Sequence, residues 1–155
     1  MKLKALQFST IMIYALVLGV FWGTWFSQSR TMELLSPETF LENGRQYIAN
    51  LAMPMRILMP GSILLTFLTA FFIGDRKSPA FYGALAAGLL MVVALIITLS
   101  VNVPIDNQIK TWTLQSLPTD WGRIRDRWEF FHFLRTWVSI AGFAFLVGGT
   151  LANRA

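Results

Sequence analysis

Four stretches of this chain carry no charge: Ala5 to Ser29, Ile57 to Gly74, Ser78 to Ile105 and Thr136 to Asn153. A helix needs about 20 mostly apolar residues to cross the ~30 Å hydrocarbon core of a bilayer. Backbone in lipid must satisfy its own hydrogen bonds, which leaves helices and closed barrels as spanning structures. The four runs therefore predict four membrane helices, at about 6–27, 52–74, 79–103 and 132–152, within one integral membrane domain over 1–155. Charged residues make up 14% of the chain, against about 25% in a soluble domain, and mean hydropathy is +0.55. Lipid is thus the expected solvent. The formal charge of +5 reads as a bias of the membrane flanks. No RNA- or DNA-binding motif accompanies it, so nucleic acid is not an expected partner. The absence of cysteine excludes disulfides, thiolate metal sites and cysteine nucleophiles.

Lys2 and Lys4 precede the first run as in a signal peptide. That run is long for such a segment, however, and no Ala-x-Ala follows it, so a retained first helix is expected. "GDRKSP" joins the second and third spans by a tight turn. The other connections are long and carry helix starts: Ser36, Pro37 and Glu38 in "SPETF", and Pro118 and Thr119 ahead of Asp120 in "LPTDW". From each start an amphipathic helix runs to an arginine, Arg56 or Arg135, where a charge-free span begins. The expected fold is all-α: an up-and-down bundle of four transmembrane helices with two amphipathic helical extensions on one membrane face. The two halves share this grammar, but too few residues match to establish a duplicated unit.

Lys2, Lys4, Arg76, Lys77 and Arg154 lie on one side with Asp75 as the only acid, while the other side mixes basic and acidic residues. The first set is unpaired in sequence and sits hard against the span ends. Both termini are therefore expected in the cytoplasm, with the chain in a bacterial inner membrane.

Up-and-down connectivity brings the end of span one, the start of two, the end of three and the start of four to one membrane face. Those ends read "FWGTWFSQ", "AMPMRILMPG", "LSVNVPIDNQIKTW" and "WGRIRDRWEFFHFLRT". On a helix, steps of three and four align Trp121, Arg125, Trp128, His132, Arg135 and Ser139 on one stripe, and Phe130, Phe133 and Trp137 face away from it. Asn102 and Asp106 are one turn apart with Pro104 between them, where the helix is expected to break or kink. Arg56 and Arg135 lie at the shallow ends of their spans, each followed by about 27 Å of uncharged helix. Such an arginine reaches to headgroups or finds a partner inside the bundle, with Asp106, Asp126, Glu129 and Glu33 as candidates.

Taken singly, these residues also have plain structural explanations. Tryptophans form interfacial belts, arginines anchor to headgroups, and a lone histidine is more often structural than catalytic. Their coincidence on facing span ends is what points to a site. One histidine cannot supply the paired axial ligands of a membrane haem. His132, Asp106 and Glu129 make an unconvincing zinc or iron set. Met53, Met55 and Met59 read as packing, not as copper ligands. No metal or cofactor site is therefore expected. "GSILL", "GALAAG" and Gly148-Gly149 offer small-residue helix-packing faces.

"NVPIDNQIKTW" followed by "LPTDWGRIRDRWEFFHFLRT" resembles the signature of the anthrone oxygenase-like family, small four-helix membrane proteins of which many are known only as a domain of unknown function. The matching positions are Asn102, Pro104, Trp121, Arg127, Trp128, His132 and Arg135. Asp106 departs from the pattern, which tends to have asparagine there, with Asn107 following. Fungal members oxidise anthrones to anthraquinones with molecular oxygen.

The resemblance implies a membrane-bound, cofactor-independent oxygenase or oxidoreductase acting on an apolar aromatic or quinone-like molecule, with oxygen as co-substrate. His132 is the expected base, provided its ring is neutral, and Arg135 and Asn102 the expected oxyanion stabilisers. Trp121 and Trp128 are expected to sandwich the ring, with Arg127, Asp106, Asn107, Arg56 and Trp25 completing the binding surface. The alternatives are a non-enzymatic membrane protein that binds a lipid, a quinone or a partner helix, and a structural subunit of a larger complex. Membrane lipid and a second copy of the chain are further expected partners.

Overall fold

The computed structural model describes residues 2–152, with Arg30 described by its backbone. Asn153 and Arg154 lie outside the described residues. Four helices are long and apolar enough to cross a membrane: α1 (Lys2–Ser29), α2 (Pro37–Phe72), α3 (Pro79–Thr111) and α4 (Trp121–Ala152). There is no strand among the described residues. By length and composition the chain is a membrane protein. Each helix packs against the next in sequence, and α4 closes the ring on α1.

The extensions are not separate helices. α2 is 36 residues long and α4 is 32, so at about 1.5 Å per residue both exceed the hydrocarbon thickness. Ser36 caps α2 by accepting from the Thr39 amide at 3.4 Å, and Ser78 caps α3 by accepting from the Phe81 amide at 3.3 Å. A proline follows each cap, where its missing N–H costs nothing.

Of the break or kink expected at Pro104, the helix shows no break. α3 passes through it without interruption, because the preceding turn, Thr98–Asn102, is wound as π-helix. The wider turn absorbs the hydrogen bond that proline cannot make. α1 ends in a second π-segment, Thr24–Ser29. Pro54 and Pro60 likewise lie inside α2.

Small residues set the closest approach in the bundle. A Cβ on Gly83 would lie 2.4 Å from the Phe145 carbonyl oxygen, and one on Gly149 would lie 2.5 Å from that of Pro79. Bare backbones here let α3 and α4 touch. Gly148 meets nothing within 4 Å, so of the glycine pair only Gly149 serves packing. Thr10 and Thr69 share a buried 2.8 Å hydrogen bond between α1 and α2.

Gly142 makes room for the hydroxyl of Tyr14, which is fully buried and reaches the Ala87 carbonyl at 3.4 Å. A Cβ there would sit 2.0 Å from that oxygen. Gly142→Ala should therefore lower thermal stability by about 1–3 kcal/mol. Tyr14→Phe should recover part of that loss, read as a positive coupling in a double-mutant cycle of melting in detergent. Additive effects would mean that the hydroxyl is not the obstacle.

The buried apolar side chains form two clusters. One, around Tyr14, Val17, Met59, Ala87, Met91 and Leu146, fills the bundle. The other, of Met32, Phe40, Leu41, Ile105, Ile109 and Trp112, lies under the extensions. The unusual polar residues fall between them. At the opposite end Arg76 is not unpaired, as the orientation argument assumed: it donates to the Ala70 and Phe71 carbonyls at the end of α2, each at 3.1 Å. Part of that side's positive charge thus serves as a helix cap.

Candidate functional site

A cavity of about 490 Å³ lies between the two clusters, with walls from all four helices. α4 contributes Arg125, Trp128, Glu129, His132 and Arg135, which is the greater part of the stripe read from its sequence. Phe130, Phe133 and Trp137 are exposed on the far side.

His132 is fully buried and Arg135 is 8% exposed. Arg135 Nε donates to His132 Nδ1 at 2.9 Å, and its Nη1 donates to Thr98 Oγ1 at 2.9 Å. Thr98 passes the chain on, donating to the Ala94 carbonyl at 2.8 Å. The guanidinium carbon stands 4.6 Å from the Phe21 ring centroid and 5.8 Å from that of Trp128. Among the described residues the ion pairs are Arg123–Asp120 and Arg125–Asp126, so Arg135 has no carboxylate within salt-bridge reach. A buried cation held by neutral acceptors and ring faces is costly, and such a residue inside a membrane bundle marks a functional site by default.

The first of these bonds also fixes the histidine. Arginine has no lone pair to offer, so Nδ1 must be the acceptor. A neutral His132 then carries its proton on Nε2, and its single lone pair is already engaged. Nε2 is buried without a hydrogen bond; the Phe21 carbonyl approaches the ring without reaching bonding geometry. The expectation that His132 is the base is therefore revised: its ring orients Arg135 and has a donor to offer.

Trp128 stacks on His132 with centroids 4.8 Å apart and donates from Nε1 to Asp106 Oδ1 at 2.8 Å. Asp106 faces the cavity, as do Asn107 and Arg56 at its edge. Asn102 is fully buried but does not line the cavity; its Nδ2 donates to the Trp128 carbonyl at 3.0 Å. The amide expected to serve as an oxyanion donor thus ties α3 to α4 with one N–H, lies outside the cavity lining, and leaves its Oδ1 buried without a hydrogen bond.

Three other expected contacts are not made. Trp121 packs on Phe40 at 5.1 Å and does not line the cavity that Trp128 faces. Arg127 is exposed and outside the cavity. Trp25 belongs to an aromatic group with Trp22, Phe26, Phe133 and Trp137, also outside the cavity. Trp121 was selected by its place on the stripe and Arg127 by the family resemblance; Trp121 lies one turn beyond the cavity, and Arg127 and Trp25 lie on other faces of their helices.

Phe21, Thr98 and Glu129 were not among the expected site residues. Glu129 lines the cavity with a buried Oε1 that makes no hydrogen bond. Thr98 sits one turn before Asn102, on the side of α3 that meets α4, and that spacing could have found it. Nothing in the sequence marks Phe21 out from the other aromatics of its span. Among the described residues no three histidine or carboxylate side chains converge as a metal-ligand set.

The four-helix bundle thus sets a buried arginine, with Asp106, Glu129 and His132, in the wall of a cavity that is otherwise largely apolar. The chain belongs to the anthrone oxygenase family, whose model matches residues 47–145, a stretch that includes all of α3 and every charged residue of the cavity lining. No curated protein and no solved structure matches it.

Proposed function

We propose that this protein is a membrane-bound oxygenase that works without a resident cofactor on an apolar aromatic or quinone-like molecule. The observation that carries this reading is Arg135: buried, aimed by His132 and Thr98, and with Asp106 near enough to feel its charge but outside salt-bridge reach. Family membership supplies the reaction type. A cavity of about 490 Å³ is in the usual range for small-molecule sites, roughly 300–1,000 Å³.

In an anthrone the ring CH2 is acidified by the carbonyl across the ring. Asp106, steadied by Trp128, accepts one of its protons. Arg135 stabilises the negative oxygen of the resulting enolate. The enolate passes one electron to molecular oxygen, and the radical pair joins to form a C–O bond. The peroxide then loses its remaining ring hydrogen as the O–O bond breaks, giving a carbonyl and water. One CH2 and one O2 thus become one C=O and one H2O.

Asp106→Asn keeps an oxygen for Trp128 but removes the basic carboxylate. It should lower anthrone-dependent oxygen uptake by about 10²–10⁴-fold and flatten the acid limb of the pH–rate profile. His132→Ala should lower the rate through a misplaced Arg135 and leave that limb intact. The reverse pattern would return the base to His132.

A second reading, a lipid- or quinone-binding protein without turnover, is favoured by Arg56. It is exposed at the cavity edge, with no hydrogen bond or ion pair among the described residues. Oxygen uptake on addition of an anthrone, absent from vesicles prepared without the protein, separates the two.

A further inference from the structure

The cavity lining is unevenly exposed. Tyr47, Arg56 and Pro60 on α2, and Leu99, Asn107 and Lys110 on α3, are exposed residues that also line the cavity. α1 and α4 contribute no exposed residue to it. The mouth therefore lies between α2 and α3. It is a slot running along the bundle and not a hole in its top. Pro60 and Leu99 lie within the charge-free spans, at hydrocarbon depth, while Arg56, Asn107 and Lys110 lie toward the interface. The upper apolar cluster of Phe40, Ile105, Ile109 and Trp112 roofs the space above.

We infer that the cavity is loaded sideways from the bilayer, through the slot between α2 and α3, by a planar amphiphile that carries negative charge on the end facing Arg56 and Lys110. The inference rests on the reading of Arg135 as the oxygen-binding group. A molecule dissolved in acyl chains meets Leu99 and Pro60 directly and has no need to leave the membrane. The two cations at the rim attract an anionic end and hold it at interface depth while the apolar body slides in. Among the described residues neither Lys110 nor Arg56 forms an ion pair; Lys110 donates to the neutral Asn107 Oδ1 at 3.1 Å and feels Asp106 at longer range, so both cations remain available to an anionic end.

The chain has no cysteine, which allows a direct test in phospholipid vesicles. Leu99→Cys introduces one thiol at the slot, and Leu16→Cys one on an exposed α1 face away from it. Binding of anthracene-2-carboxylate is followed by stopped-flow energy transfer from tryptophan, before and after full modification with N-phenylmaleimide. Modification of Leu99→Cys should slow association and dissociation together by about tenfold or more with Kd little changed, as expected of a gate whose two rates move in step. Modified Leu16→Cys should behave as before. Replacing Arg56 and Lys110 by glutamine should slow association of anthracene-2-carboxylate and leave 2-methylanthracene unaffected.

Unchanged rates in fully modified Leu99→Cys, with affinity lost in Arg135→Gln, would overturn the slot while keeping the site. Unchanged affinity in Arg135→Gln would remove the occupant from this cavity, and the functional reading with it. Absence of saturable binding to the unmodified protein would overturn both.

Discussion

Arg135→Gln should lower anthrone-dependent oxygen uptake by about 10²–10³-fold, the usual effect of removing one preorganised donor from a developing oxyanion. Arg135→Lys should be nearly as damaging. A lysine is a point donor and cannot hold His132 Nδ1 and Thr98 Oγ1 in the two directions the guanidinium spans. The stability result is the sharper half of the prediction. Loss of the guanidinium leaves the His132 and Thr98 acceptors unpaired, costing about 1–3 kcal/mol each. It also relieves the burial of a cation that has no carboxylate within salt-bridge reach, worth several kcal/mol. Arg135→Gln should therefore melt within about 1 kcal/mol of the parent, the difference of those opposed effects. A structural arginine would show the opposite pairing, with stability lost and activity falling only as far as folding does. Retention of a third or more of the parent rate in a folded Arg135→Gln protein would end its assignment to the chemistry.

The largest stability effect is expected at the α3–α4 contact. Gly83→Val places branched bulk where even a Cβ would stand 2.4 Å from the Phe145 carbonyl oxygen and 3.0 Å from the Gly149 Cα. Both obstacles are backbone, so no side chain can turn aside and the helices must separate. We expect a loss of about 3 kcal/mol or more, at or beyond the top of the usual overpacking range, and poor recovery of folded protein. Gly149→Val should behave alike. Gly148→Ala should be neutral or stabilising by up to about 1 kcal/mol, since alanine favours helix and meets nothing there. Equal effects at 148 and 149, read from melting in detergent, would refute the backbone contact.

The glycine pair shows how far a sequence can be read. "GG" on a span announces close packing, but which member faces the partner depends on helix rotation, and the difference is about 100° of azimuth. The same uncertainty governed the site. The stripe on α4 was correctly spaced because it lies on one helix, where period alone decides who shares a face. Trp121 keeps to that face, beside Arg125, but lies one turn past the end of the cavity. Trp25 was placed by residue type and depth and Arg127 by resemblance, which say nothing about direction. At Pro104 the helix does not break, because a proline signals a lost hydrogen bond and a π-turn can take up that loss while the helix continues.

Charge-free length alone determined four spans, their up-and-down order and the membrane face on which the polar residues gather, since lipid enforces these at a cost of several kcal/mol for each unsatisfied group. Only the packed bundle decided that Arg135 turns to His132 and Thr98, that Asn102 ties helices together instead of facing the cavity, and that the opening lies between α2 and α3. Those outcomes depend on how four helices rotate against one another. Rotation is set by side-chain interlock and by single glycines, whose effects no local pattern records.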